Sequence, residues 1–256
     1  MLRRKWLFNR LISIIRLTMN IILFCAVLPA ILLVLYIYLR DKYQREPLSQ
    51  ILKGVLFGVF SAGIAMVMES SLQMAGLLVA EPSTWLGALW NAFVGAAFPE
   101  EIAKLLMLWL LLRNNKYFDE RFDGIVYACC VGMGFAGTEN ILYLFGNIDT
   151  WQSVAFSRAI FAVPGHFIFA VTMGYFYSKI HFRDMSWSYR SQVLLAPVLL
   201  HGIYDGLLFM ANVTPQVAGL ILMGFYLFCF WMYRFARRRI REQSMADDPN
   251  NIIFRV

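Results

Sequence analysis

Apolar and polar residues alternate along this chain in long blocks rather than residue by residue. Seven apolar runs are each close to the roughly 20 residues that a helix needs to cross a 30 Å hydrocarbon core. They predict membrane-spanning helices at 19–39, 51–70, 86–112, 124–145, 155–178, 193–212 and 216–234. The pattern therefore predicts an all-α protein, a polytopic transmembrane helical bundle of about seven spans.

The segments outside these runs are too short to form a second domain. We expect a basic N-terminal tail or interfacial helix at 1–18, a transmembrane domain at 19–234 and a C-terminal tail at 235–256. The start, MLRRKWLFNR, is basic, but the run after it has no small-residue cleavage site. We therefore interpret that run as a retained span and not as a signal peptide.

Composition agrees with a membrane protein and argues against some partners. The 256 residues are 60% hydrophobic and 15% charged, whereas soluble domains are about half apolar and a quarter charged. The net charge is +7, but the basic residues lie almost entirely between or beyond the apolar runs, so we expect a lipid bilayer and no nucleic acid as partner. The cysteines all lie inside apolar runs and form no disulfide framework.

The distribution of Lys and Arg predicts the orientation of the chain. Basic residues are concentrated in the segments 40–53, 113–123, 179–192 and 235–256, and the alternate loops 71–85, 146–154 and 213–215 contain none. The positive-inside rule then places the C-terminus in the cytoplasm of a multi-pass cell-membrane protein. An odd number of spans conflicts with the basic residues at 1–18. An interfacial helix, a true start at Met19 and a miscounted span all remain open as explanations.

Two adjacent glutamates, Glu100 and Glu101, interrupt the third apolar run. One unpaired carboxylate at the centre of a bilayer costs at least about 2.5 kcal/mol. Lys104 follows Glu100 by one helical turn, and it either neutralises Glu100 in a structural ion pair or belongs to a functional site. Polar residues this costly predict a role inside the bundle.

Later runs place ionisable side chains at a similar depth. At 1.5 Å per helical residue, these groups fall within a band roughly 10 Å thick near mid-membrane. The residues of this band are Glu100, Glu139, His166, His201 and Asp205. Because independent accidents would not agree in depth, the sequence predicts one polar site at mid-membrane.

Spacing within the runs adds to this picture. Residues four apart share a helix face, and such pairs are Glu100–Lys104, Glu139–Tyr143 and His201–Asp205. Pro99 and the VPGH segment at 163–166 should loosen the local backbone. The small residues of GMGFAGTEN, at 132–140, should let a neighbouring helix approach closely beside Glu139.

Several of these polar residues have a structural interpretation that stays open. Asn140 and Tyr143 are typical of hydrogen bonds between helices rather than of chemistry. Arg158 either extends toward the membrane surface or pairs with a carboxylate. Asp205 would orient His201, a role that is compatible with function.

The residue types favour hydrolytic chemistry. Two histidines and one carboxylate, here His166, His201 and Glu139, form a zinc ligand set that leaves a fourth position for water. A second glutamate would then take the proton of that water. A metal-free alternative uses a buried glutamate as general base, with His and Asp contacts stabilising the oxyanion.

Four segments in order carry a resemblance to a known family: FPEEIAKLL, GMGFAGTENILYLFG, PGHFIFAVTMGYFYS and LLHGIYDGLL. Together with YLRDKYQREP after the first run, they resemble the signatures of the PrsW family of intramembrane proteases over about residues 19–212. The resemblance implies that Glu100 and Glu101 form the glutamate motif, His166 the second motif, and His201 with Asp205 the third.

Two positions depart from the wider clan of CaaX prenyl proteases and agree better with PrsW. Ala162 occupies the position where the clan usually has Phe, four residues before the histidine, and Lys104 follows the glutamates where the clan has Arg.

The resemblance implies an intramembrane endopeptidase that cleaves a single-pass membrane protein. Members of the family cleave membrane-anchored anti-sigma factors, which implies a role in stress signalling. In this interpretation Glu100, or Glu101 instead, activates water, with zinc as the implied cofactor. An ion- or proton-coupled transporter that uses the same carboxylates is the alternative, although the sequence shows no inverted repeat. A non-catalytic membrane scaffold is a third possibility.

Overall fold

The computed structural model describes residues 2–182 and 189–250. Within the first range, residues 2–9 and 11 are described by their backbone alone. Throughout these residues the regular structure is helical, without strands, which confirms the predicted all-α class. The α-helices are α1 (Leu2–Arg40), α2 (Leu48–Met74), α3 (Trp85–Trp90), α4 (Phe98–Leu112), α5 (Asp123–Gly146), α6 (Trp151–Ser157), α7 (Val163–His181), α8 (Gln192–Val213) and α9 (Ala218–Ala246).

Six helical runs are long and apolar enough to cross a membrane. They are Ile12–Arg40, Leu48–Met74, Asp123–Gly146, Trp151–His181, Gln192–Val213 and Pro215–Ala246. The remaining predicted span, 86–112, is also a continuous helical run, from Trp85 to Leu112, but it carries Glu100, Glu101 and Lys104. The chain is thus a multi-pass membrane protein.

The two terminal helices extend beyond the predicted spans. α1 continues without a break from Leu2, so residues of the expected 1–18 tail belong to the same helix as the first span. α9 continues to Ala246, well into the expected C-terminal tail. The polar residues of these extensions do not end the helices, because Arg, Lys, Glu and Gln are good helix formers. Arg183, in the loop used to predict the orientation, lies outside the described residues.

Two π-helical segments lie inside the third and fifth spans. One, Asn91–Ala97, joins α3 to α4 just before Pro99, and the other, Arg158–Ala162, joins α6 to α7 just before Pro164. Proline has no backbone N–H to donate to the preceding turn, so a local change of hydrogen-bond register at these positions is expected. The prediction that Pro99 and the VPGH segment loosen the backbone is confirmed, and π-segments of this kind are frequent at functional sites.

α5 lies at the centre of the bundle, where it packs against α1, α2 and α7. Glycine makes the closest of these contacts possible: a Cβ added to Gly134 would lie 2.1 Å from the carbonyl oxygen of Val55 on α2. The same is true from the α2 side, where a Cβ added to Gly58 would lie 2.1 Å from the carbonyl oxygen of Val131 on α5. The predicted close helix approach is therefore present, on the α2 side of α5.

Candidate active site

The polar residues predicted at mid-membrane converge from four helices. Glu100, Glu101 and Lys104 lie on the first turns of α4, directly after the π-helical segment. The other residues of this group are Glu139 on α5, His166 at the start of α7, and His201 and Asp205 on α8. Helices far apart in the sequence thus bring these side chains together.

Lys104 lies among three of the candidate groups. Its Nζ is 2.8 Å from Oε1 of Glu101, 3.1 Å from Oε2 of Glu100 and 3.2 Å from Nδ1 of His166. The Phe135 ring faces the same ammonium, with its centroid 3.9 Å away. The ion pair that the sequence left open is therefore present, and it includes both glutamates.

His201 links α8 to the second glutamate. Its Nδ1 lies 2.9 Å from Oε1 of Glu101 and its Nε2 lies 3.2 Å from Oδ2 of Asp205. The Phe169 ring stacks on the imidazole at a centroid distance of 4.6 Å. Carboxylates on both sides and one aromatic face together fix the orientation of this ring.

His166 has a similar arrangement on the other side of the site. Its Nε2 lies 2.8 Å from Oε2 of Glu139, and its Nδ1 faces Lys104 and lies 3.9 Å from Oε2 of Glu100. The two imidazole rings are 5.4 Å apart and nearly perpendicular. Each histidine therefore directs Nε2 to a carboxylate of α5 or α8 and Nδ1 toward the glutamates of α4, and Nε2 of His201 also lies 4.0 Å from Oε2 of Glu100.

Arg158 completes the contacts around Glu139. Its Nη2 lies 2.6 Å from Oε2 of Glu139, and its Nε donates to Oδ1 of Asn140 at 2.6 Å. The guanidinium also lies 4.0 Å from the centroid of the half-exposed Tyr143 ring. Of the two interpretations of Arg158, pairing with a carboxylate is the one observed, and Asn140 also donates to the Ala26 carbonyl on α1.

A cavity of about 590 Å³ opens beside this cluster. Its polar wall includes Glu100, Glu139, His166, His201 and Asp205, whereas Glu101 does not reach it. Its other walls are largely apolar and are contributed by α2, α8, α9 and the helical run from α6 to α7. The cavity thus gives the polar residues an open space within a largely apolar bundle.

Glu69 of α2 also lines this cavity, although the sequence analysis did not select it. The signal was available, because Glu69 is a carboxylate near the end of the apolar run 51–70. Because Glu69 lies near the end of that run, the mid-membrane depth that selected Glu139 does not include it.

The residues fit a metal ion. One ligand atom each from Glu100, Glu101, His166 and His201 lies within 4.8 Å of the others. Oε2 of Glu101 is buried and accepts no hydrogen bond, so this oxygen lacks a partner that a cation would provide. Two imidazoles with carboxylates are a donor set that zinc uses in catalytic sites. Glu139 lies outside this group, since its Oε2 contacts His166 Nε2 and Arg158.

Glutamates and histidines that face one another beside a cavity of a multi-pass membrane protein are the arrangement expected of a polytopic membrane hydrolase. The model of the family described as PrsW family intramembrane metalloprotease matches residues 46–234. The chain therefore belongs to the PrsW family of intramembrane proteases and is a membrane peptidase.

Individual relatives agree with this assignment. The chain is 34% identical to Protease PrsW of Geobacillus kaustophilus over 221 residues, which cover 86% of this chain and 93% of that protein. It is 33% identical to Protease PrsW of Bacillus subtilis over 191 residues, or 73% of this chain and 82% of that protein. No solved structure matches the chain.

Proposed function

We propose that this peptidase cleaves a single-pass membrane protein and that Glu100 activates the attacking water. The observation that carries this proposal is the different surroundings of the two glutamates. Glu100 lines the cavity, whereas Glu101 is fully buried and contacts Lys104 and His201. Of the two α4 glutamates, Glu100 is therefore the one placed to meet water and substrate, and it acts as general base.

In this proposal the two histidines and Glu101 hold a zinc ion. Nδ1 of His166 and Nδ1 of His201 both face the α4 glutamates, and Oε2 of Glu101 has no other partner. When bound, zinc supplies Lewis acidity and lowers the pKa of a water in its open position. Lys104 contacts the same groups, so its ammonium limits the negative charge that the ligand set presents.

Glu139 and Asp205 orient the histidines. Metal-binding histidines commonly donate their second ring nitrogen to a carboxylate, which fixes the ring and raises its basicity as a ligand. Glu139 and Asp205 each contact the Nε2 atom of one histidine. We therefore assign Glu139 this orienting role in place of the ligand role that the sequence suggested.

The substrate we propose is a membrane-anchored anti-sigma factor. Membership of the PrsW family supports this choice, and the apolar walls of the cavity suit a segment that leaves or enters a bilayer. The basic loops and the basic end of α9 support a cytoplasmic C-terminus by the positive-inside rule.

The first experiment measures zinc content and cleavage together in the purified full-length protein. We expect about one zinc per wild-type chain. Glu100→Gln should retain zinc but lose cleavage of a co-expressed single-pass anti-sigma factor, and His201→Ala should lose both. Glu81→Gln, at an exposed acid in the loop before α3, is the matched control and should behave as wild type.

Two results would overturn the proposal. Full cleavage by Glu100→Gln would remove the assignment of the general base. Zinc content unchanged in His201→Ala would place any metal elsewhere. Proton or metal flux in liposomes that disappears with Glu100→Gln, without cleavage, would favour the transporter alternative.

A further inference from the structure

A second acidic cluster lies away from the active site, where the α1–α2 loop meets the α4–α5 loop. Asp41 follows the end of α1, Glu120 lies in the α4–α5 loop, and Asp123 begins α5. One carboxylate oxygen from each of these three residues lies within 4.8 Å of the others. Asp41 and Asp123 are buried, with exposed fractions of 1% and 0%.

Two oxygens of this cluster are buried without a hydrogen bond. Oδ2 of Asp123 accepts from the backbone N–H groups of Asp119 and Glu120, at 3.1 and 2.6 Å, but its Oδ1 accepts none. Oε2 of Glu120 is likewise buried and unpartnered. A buried carboxylate oxygen without a donor is costly, so these atoms call for a positive partner.

The surrounding groups increase this cost. Glu46 adds a further buried carboxylate beside the cluster: its backbone N–H donates to Oδ2 of Asp41 at 3.2 Å, and its carboxylate accepts from the Tyr127 hydroxyl. Arg45 is near, but its Nε donates to the main-chain oxygen of Asp41 rather than to the carboxylate.

We propose that Asp41, Glu120 and Asp123 bind a divalent cation of the Mg²⁺, Ca²⁺ or Mn²⁺ class. Such cations take oxygen ligands at about 2.0 to 2.6 Å, so a single ion can span carboxylate oxygens that lie within 4.8 Å of one another. The site differs from the active site because all its ligands are carboxylate oxygens, which suit hard cations, and it has no imidazole. The inference does not rest on the proposed function.

The cation would join parts of the chain that are distant in sequence. It would link the end of α1 to the start of α5 through the α4–α5 loop. That loop is also tied to the end of α9, since Asp247 accepts from the backbone N–H groups of Arg121 and Phe122 at 3.0 and 2.7 Å. The bound ion would therefore hold together the ends of three helices.

The test uses full-length protein in detergent, stripped of metal and titrated with Mn²⁺, with free Mn²⁺ measured by electron paramagnetic resonance. Glu120→Gln is the principal variant, because Asp123 also accepts backbone hydrogen bonds and its loss could unfold the loop. We expect Glu120→Gln to bind one Mn²⁺ fewer per chain than wild type, or to bind it at least tenfold more weakly. Mn²⁺ and Ca²⁺ should raise the Tm of wild type but not that of Glu120→Gln.

Asp119→Asn is the matched control, since Asp119 is the exposed neighbour of Glu120 in the same loop. Its Mn²⁺ binding and the rise of its Tm should equal those of wild type. Equal Mn²⁺ binding by wild type and Glu120→Gln would overturn the inference. So would a Tm of wild type that no cation changes, because the carboxylates would then be relieved by shared protons alone.

Discussion

His166 Nε2 lies 2.8 Å from Oε2 of Glu139, which places a carboxylate of α5 directly behind a histidine of α7. His201 has the same relationship with Asp205, one turn later on its own helix. Each histidine of the site thus has a carboxylate at its Nε2 atom. Asp205 lies four residues from His201 on the same helix, whereas Glu139 lies 27 residues from His166 on another helix.

Glu139→Gln tests what this contact does. The amide keeps the shape of the side chain but removes its charge, so His166 should be held less firmly. Loss of such an orienting carboxylate typically costs about 10- to 100-fold in metal affinity or activity. Zinc affinity and cleavage rate should both fall in this range. Unchanged zinc affinity would remove the orienting role from Glu139.

Arg158 should act through Glu139. Its guanidinium contacts Glu139 and Asn140 together, so Arg158→Gln should lower kcat more than it raises KM. Arg158→Lys keeps the positive charge but not the planar donor pair, and it should recover part of the rate. Equal cleavage rates for the lysine and glutamine variants, both at the wild-type Tm, would show that the rate depends on the contact of the guanidinium with Glu139 and Asn140 together and not on its charge.

Lys104→Met removes the ammonium between the α4 glutamates. Breaking a buried ion pair by removing one partner costs about 3 to 5 kcal/mol, and Lys104, Glu100 and Glu101 are all buried. We therefore expect a marked fall in the Tm of the purified protein. Lys116→Met, at an exposed lysine in the α4–α5 loop, should leave the Tm unchanged. Equal Tm values for the two variants would show that Lys104 does not stabilise the buried glutamates.

Two glycines of α2 provide a matched test of the α2–α5 contact. A Cβ on Gly58 would lie 2.1 Å from the carbonyl oxygen of Val131, whereas a Cβ on Gly63 would meet nothing within 4 Å. Gly58→Ala should lower the free energy of unfolding, since overpacking typically costs about 1 to 3 kcal/mol. Gly63→Ala should leave it equal or higher, because alanine is the better helix former. A Gly58→Ala protein as stable as wild type would contradict the close packing of α2 on α5.

Depth along the spans was enough to predict which ionisable residues would meet. Glu100, Glu139, His166 and His201 were selected from their position in apolar runs, and the structure brings all four to one cavity wall. This succeeded because the rise of a helix is fixed, so residue number translates directly into depth.

Rotation about each helix axis could not be derived in the same way. Arg158 lies 19 residues from Glu139 in the sequence, and their contact depends on how the helices turn toward each other. The same limit applies to Glu139, whose contacts with Nε2 of His166 and with Arg158 could not be predicted from its depth. The bounds of α1 and α9, which extend past the apolar runs, could not be derived from hydropathy, because hydropathy shows which residues suit the membrane and not where a helix ends.

The π-helical segment Asn91–Ala97 controls the angular position of the α4 glutamates. A π-segment is in effect an α-helix with one residue inserted, and each residue of an α-helix turns the chain by about 100°. Removing one residue from this segment would restore regular helix but would change the phase between α3 and α4. If α3 kept its contact with α8, Glu100 and Glu101 would then point about a quarter turn away from the two histidines. The inserted residue would therefore decide whether the glutamates face the histidines, although it has no chemistry of its own.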